Sequence, residues 1–346
     1  MIQITDKISH KLANLSFVCT LMVVFIHLRT SGEGCIFHFL RTYFPGAFLR
    51  MAVPAFFAIS GFLLVGKCEN QGWYKDALSK RLRTLMIPFV LLNVLYWPVK
   101  YLVHSCASHG ASTMILSWKT PLEIWGVPFC GGPAIGPLWY VATLFYFVLV
   151  SPIFVAVIRR SCKAAVGMTA LCAFALLGWE ALRFAVPSVR PLGAFFYYNF
   201  SLWGLVFFVA GMAVRYWGRP IRSSTIIGLG VLGVGMAIAI ACLGLNDSEA
   251  MCLLPVAALI PFVFYLMPDR RLPDCLVRNS FAIYVFHVPL IYFVDAGLKL
   301  LKVLWFVQRW YGMLLEWIVC VALAIVLAEC LRRFTPKVAA LFLGGR

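Results

Sequence analysis

The sequence predicts an all-α integral membrane protein, a bundle of about ten transmembrane helices with both termini in the cytoplasm. Three observations carry this expectation. The chain is 62% hydrophobic and only 12% charged, with a mean hydropathy of +0.91, against roughly 25% charged in soluble domains. Its apolar stretches are continuous rather than alternating, which selects helices over a closed barrel in lipid. Lys and Arg are also shared unevenly between alternate loops. At about 20 residues per span, 346 residues leave room for roughly ten spans and little else. Residues 1–346 are therefore expected to form one transmembrane domain without a soluble appendage.

The spans are expected at 12–28, 46–66, 84–104, 137–158, 164–185, 199–217, 223–245, 250–267, 280–299 and 311–331. Lys7, His10 and Lys11 precede the first, as in a signal peptide. No small-x-small cleavage site follows, so a retained helix is expected. Pro- and Gly-rich punctuation separates the later runs, as in P-F-C-G-G-P-A-I-G-P over 128–137. No internal repeat is evident.

Orientation follows from the loops. With the N-terminus inside, the inner segments hold Lys7, Lys11, Lys67, Lys75, Lys80, Arg81, Arg83, Arg159, Arg160, Lys163 and further cations down to Arg346. They far outnumber the outer set of Arg29, Arg41, Lys119, Arg183, Arg190, Lys299, Lys302 and Arg309. The positive-inside rule places both termini in the cytoplasm. The same distribution argues against nucleic acid as the partner for a net charge of +17. The cations sit in short loops, without an aromatic-basic patch. The twelve cysteines show no metal-ligand spacing. Most fall in spans, while Cys35, Cys106 and Cys130 fall in loops on one face and have the means to form one disulfide.

Two polar levels emerge from helix rise. The outer one holds His27, Arg50, Glu180 and Asp295; the inner one holds Ser60, Lys80, Arg81, Arg83 and His287. Arg50 lies within F-L-R-M-A-V-P-A-F-F-A-I-S-G-F-L-L. An arginine in a span usually faces a bundle interior or a wet cavity; it either stabilises an anion there or snorkels to headgroups. His27, at the end of the first span, reads as a general base, a nucleophile, or an interfacial histidine. The run K-R-L-R-T-L-M-I-P over 80–88 reads as a phosphate clamp or as a topology anchor, and position alone favours the anchor. His287 lies about 10 Å into the ninth span. It either bonds within the bundle or lines a donor channel, and the rise leaves it too far in depth from His27 for a simple pair. Glu180, Asp295, Glu316 and Glu329 are candidate partners for Arg50, Arg183 or His27.

The order of motifs resembles the acyltransferase-3 family of bacterial integral-membrane acyltransferases, in its polysaccharide O-acetyltransferase branch. The matching pieces are N-L-S-F-V-C-T-L-M-V-V-F-I-H (14–27), R-M-A-V-P-A-F-F-A-I-S-G-F-L (50–63), K-R-L-R-T-L-M-I-P (80–88), G-P-L-W-Y-V-A-T-L-F-Y-F-V-L-V-S-P (136–152) and N-S-F-A-I-Y-V-F-H-V-P-L (279–290). Each is weak alone; five in order are specific. The resemblance implies transfer of an acyl group, usually acetyl, from cytoplasmic acetyl-CoA to a sugar hydroxyl at the outer face of the bacterial cytoplasmic membrane. His27 matches the family's histidine and Arg50 its arginine before V-P-x-F-F-x-I-S-G. Arg81 matches the first of its basic pair. Arg83 is displaced by one residue from the second, where Thr84 stands. The family's arginine eleven residues before the histidine is replaced by Ser16, with Asn14 before it, leaving Lys11 or Arg29 to substitute.

On this reading His27 and Arg50 are catalytic. Lys80, Arg81 and Arg83 bind the donor's phosphates, and Ser60, Trp139, Tyr140 and His287 line the substrate cavity. The chemistry calls for no metal. The implied partners are membrane lipid and a polysaccharide or lipid-linked sugar acceptor, with a homo-oligomer or glycan-assembly partner left open. Two alternatives stand beside it. A transporter or flippase for a lipid-linked glycan would use the same polar levels, although such folds often carry repeats that this chain lacks. A non-catalytic family member is the other, prompted by Ser16.

Overall fold

The chain begins its first helix at a capping threonine: the Thr5 side chain accepts from the Ile8 backbone N–H at 3.4 Å, and Asp6 adds a negative charge to the first turn. The computed structural model describes residues 1–28, 45–96, 136–186, 188–189, 200–245, 248–303, 305 and 310–345. The helices are α1 (Asp6–His27), α2 (Pro45–Arg50), α3 (Ala52–Val65), α4 (Trp73–Arg81), α5 (Trp139–Ile158), α6 (Cys162–Ala185), α7 (Leu202–Trp217), α8 (Ser223–Cys242), α9 (Glu249–Leu266), α10 (Asp274–Val277), α11 (Ser280–Leu300), α12 (Trp310–Phe334) and α13 (Pro336–Leu343). Past Arg81, α4 continues through a π-helical turn, Leu82–Met86, into helical residues 87–96. No strand occurs among the described residues. Eight described helices are long and apolar enough to cross a membrane, and the shorter α7 is apolar throughout its middle. The protein is an all-α membrane bundle, as expected. Ser161, Ser201 and Ser248 cap α6, α7 and α9 by accepting from the backbone N–H three residues on.

The bundle is built around α7, whose residues from Trp203 to Val209 are all buried. Its tightest neighbour is α3. A Cβ on Gly61 would lie 2.0 Å from the Phe208 carbonyl oxygen, and one on Gly211 would lie 2.0 Å from that of Ala58. Backbone therefore touches backbone, the close approach that small residues permit between helices in lipid. Phe57, Phe147 and Phe208 fill the space beside this seam. By contrast α6, α8 and α12 send Leu171, Phe174, Val231, Leu232, Ile318 and Val326 outward; these are lipid-facing surfaces.

Both chain termini lie at one end of the bundle. There α1 grips the segment between α9 and α11. Asn14 is fully buried; its amide donates to the carbonyls of Pro268 (3.1 Å) and Arg270 (2.9 Å), and its oxygen accepts from the Leu272 N–H (3.0 Å). His10 donates to the Asp269 carbonyl at 3.0 Å, and Lys11 donates to the Tyr265 carbonyl at 2.9 Å. Lys7 and Lys11 both pair with the Asp269 carboxylate. Beside them Glu329 accepts a fork from Arg278, at 3.1 and 2.6 Å, and a bond from Asn279 at 2.7 Å; Arg332 closes the network. Glu329 is thus a partner of Arg278 and Arg332 at the termini end, and of none of the residues proposed for it from sequence.

The loop cysteines Cys35, Cys106 and Cys130 and the cation Arg29 lie outside the described residues. Among the described residues, buried Cys19, Cys68, Cys172 and Cys320 are thiols outside any disulfide.

Candidate active site

His27 ends α1, and its ring lies 5.2 Å, centroid to centroid, from that of His287 on α11. This corrects the expectation that depth keeps the two apart. Counting rise from a shared membrane edge assumes that α11 starts at that edge. The Asn14 bracket instead draws the segment before α10 inward, so α11 starts level with the middle of α1. Phe17 packs with Ile283, and Leu28 with Ile291.

His287 is buried, and its Nδ1 donates to the Tyr284 carbonyl at 2.7 Å. That bond leaves Nε2 as the unprotonated acceptor. Nε2 is itself buried without a hydrogen-bond partner among the described residues. An unspent acceptor therefore sits beside the His27 ring.

From this pair a line of polar and aromatic groups runs toward the termini end. Tyr284, whose hydroxyl donates to the Pro137 carbonyl, has its ring 6.0 Å from His287 and 5.9 Å from Tyr140. The Tyr140 hydroxyl lies 3.3 Å from Ser60 Oγ, with Phe56 and Phe57 against its ring. Trp139 lies behind, 6.2 Å from Phe57. The Arg81 guanidinium is within electrostatic reach of Tyr140. The structure thus joins Ser60, Tyr140 and His287, three of the four expected cavity residues, into one path between Arg81 and His27. Trp139 stands one residue aside.

The basic run divides at the π turn. Arg81 is half-buried on the path, whereas Lys80 and Arg83 are exposed. Arg83 is not brought together with Arg81. Thr84, at the position of the family's second arginine, has its hydroxyl buried without a hydrogen-bond partner among the described residues. A Cβ on Gly344, which turns at φ +64°, would come 2.4 Å from the Thr84 carbonyl oxygen. The residues just past α13 thus pack against the backbone of Thr84. A π turn within an α-helix is itself frequent at functional sites.

Arg50 ends α2 at the His27 end of the bundle. Its charge acts on Glu249 at the start of α9, together with Arg183 and Glu180. Arg183 donates to Glu180 at 3.0 Å, so Glu180 has the partner that sequence reasoning allowed it. Asp295 and Glu316 are buried, and both act on the Cys320 thiol. Ser16 spends its hydroxyl on the Leu12 carbonyl at 2.9 Å. Lys11 is committed to Tyr265 and Asp269, so it does not replace the absent arginine.

Sequence reasoning missed three residues. Lys67, just past α3, and Arg215, in the last turn of α7, were counted only as topology charges. Arg215 carried a signal, because it interrupts an apolar run and such a charge seeks the bundle interior. Tyr284, the link between Tyr140 and His287, carried none.

The sequence profile of an acyltransferase domain matches residues 12–333. The chain is also similar to the succinoglycan biosynthesis protein ExoH of Rhizobium meliloti (strain 1021). The two are 24% identical over 164 residues, 45% of this chain and 44% of that protein. The match thus spans less than half of that relative's length. No solved structure matches the chain.

Proposed function

The chain belongs to the acyltransferase domain family, and from that premise we propose that it moves an acetyl group from acetyl-CoA to a sugar hydroxyl of a cell-envelope polysaccharide or its lipid-linked precursor. The observation that carries this reading is the path from Arg81 through Tyr140 and Tyr284 to the His27–His287 pair. It offers a cation for phosphate at one end and a base at the other. The similarity to a protein named for succinoglycan biosynthesis supports the choice of a glycan acceptor.

In this reading the donor's phosphates stay with the basic residues at the termini end, and its extended arm follows Ser60, Tyr140 and Tyr284. His27 takes the proton of the sugar hydroxyl. The hydroxyl oxygen attacks the thioester carbonyl; a C–O bond forms, the C–S bond breaks, and the departing thiolate takes the proton back from His27. For the transfer His27 turns its N–H toward the vacant Nε2 of His287, which leaves the other His27 nitrogen bare toward the hydroxyl. Arg50 steadies the acceptor or the developing oxyanion. The positive-inside pattern supports a reading with Arg81 in the cytoplasm and His27 at the outer face of a bacterial inner membrane.

Membrane vesicles of opposite sidedness test this. Acetyl-labelled acetyl-CoA added to inside-out vesicles should label the glycan, and added to right-side-out vesicles it should not. Label entering the glycan equally from both sides, or from neither, would defeat the reading.

A further inference from the structure

At the termini end five cations from four helical elements converge on the short turn after α3. Arg215 is 6% exposed, and its guanidinium lies between the Phe62 ring, 5.0 Å from its centre, and Gly66. A Cβ on Gly66 would stand 3.2 Å from Arg215 Nη2 and 3.3 Å from Nε. Nε and Nη1 are buried without a hydrogen-bond partner among the described residues. Nη2, outside that enclosure, faces the turn. Lys67 follows Gly66 directly. Burial, and then the charges of Lys80 and Arg81, hold its ammonium below the usual lysine range. Arg159, at the end of α5, acts on the neighbouring Cys68 thiol. One carboxylate, Glu69, acts on Arg215. None of the five cations has an ion pair within 4.0 Å among the described residues.

Among the described residues, five cations with one carboxylate in reach repel one another, and a buried arginine with two idle N–H groups carries a desolvation cost that the Phe62 ring and Glu69 offset only in part. An anion of high charge density relieves both. The planar edge of a guanidinium beside a lysine is the arrangement that takes phosphate.

We propose that Lys67 and Arg215, with Lys80, Arg81 and Arg159, form a binding site for a phosphorylated anion at the termini end of the bundle. Resting on the function proposed above, the anion is the phosphate portion of the acyl donor. An anionic lipid headgroup presents the same chemistry and is the other source.

Binding of coenzyme A to the full chain in neutral-lipid nanodiscs tests the site. Lys67→Gln, at an exposed position that folding tolerates, should weaken binding by about tenfold, the size of one charge-assisted contact. Arg215→Gln should weaken it further, and Arg215→Lys should recover part of the loss. Inorganic pyrophosphate should compete, and His27→Ala should bind as wild type does, which separates this site from the transfer chemistry. Wild-type affinity in both Lys67→Gln and Arg215→Gln would overturn the site while leaving the acyltransferase reading intact. No coenzyme A binding by wild type, with thermal stabilisation by anionic lipid that both variants lose, would keep the phosphate site and remove acetyl-CoA as its occupant. Binding of neither probe would overturn the site.

Discussion

The rings of His27 and His287 lie 5.2 Å apart, and the Nδ1 of His287 is spent on the Tyr284 carbonyl. This fixes which nitrogen of His287 is free to act on its neighbour. A histidine whose second nitrogen is held by backbone orients the group beside it. His27→Ala should lower the turnover of acetyl transfer by about 10²–10⁴-fold, the range for a lost general base. His287→Ala should lower turnover by less and leave the KM for acetyl-CoA nearly unchanged. His287→Gln, which returns an acceptor near the Nε2 position, should recover part of it. Turnover and KM on the three variants check the assignment; a His287→Ala loss confined to KM would contradict it.

The Asn14 bracket sets the depth of α11 through three hydrogen bonds to residues 268–272. Asn14→Ala leaves two carbonyls and an N–H without that partner. At about 1 kcal/mol net per bond, and more where the partner stays buried, it should cost about 2–4 kcal/mol. The measurement is thermal unfolding in detergent. Activity should fall with it, because the His27–His287 register depends on the same segment.

The α3–α7 seam predicts a glycine effect that depends on position. Gly211→Ala forces a Cβ to 2.0 Å of the Ala58 carbonyl, and should destabilise by about 1–3 kcal/mol as the helices part. Gly228→Ala on α8 meets nothing within 4 Å and should be neutral or slightly stabilising. Side-by-side melting curves check the contrast.

Lys67 predicts a pH effect. Burial and the charges of Lys80 and Arg81 lower its pKa in the fold, so the folded state releases this proton at lower pH than the unfolded chain does. The repulsion opposes folding fully while Lys67 is charged. It is relieved as pH rises through the lowered pKa, so stability rises across the window between that value and the unfolded one near 10.5. An amine-directed acylating reagent should therefore modify Lys67 faster than exposed Lys75 at mildly alkaline pH. Lys80→Gln should slow that reaction, and coenzyme A should protect.

Much of this was legible in the sequence. Continuous apolar runs gave the all-α bundle because lipid leaves the backbone no other solution. His27 and Arg81 stood out as ionisable groups at the ends of such runs. The pairing of His27 with His287 was not legible, because relative depth depends on where α11 starts, and Asn14 sets that through backbone groups that no pattern displays. Thr84 was legible as a gap in the basic pair, but the approach of Gly344 to its backbone, some 260 residues on in the chain, was not. Glu329 went to Arg278 because α11 and α12 pack side by side, a tertiary fact. Lys67 looked like an ordinary loop-end charge, and Arg215 was marked only by its place in an apolar run, until the turn at Gly66 brought them together.

The proposed function makes His27, steadied by His287, the base for acetyl transfer to an envelope glycan. Its most direct test is the O-acetyl content of the host's surface glycan by NMR. The gene is deleted and then restored as wild type, His27→Ala or His287→Ala at equal expression. The account predicts loss of O-acetyl on deletion, full return with wild type, none with His27→Ala and a partial return with His287→Ala. O-acetyl unchanged by deletion, or fully restored by His27→Ala, would contradict it.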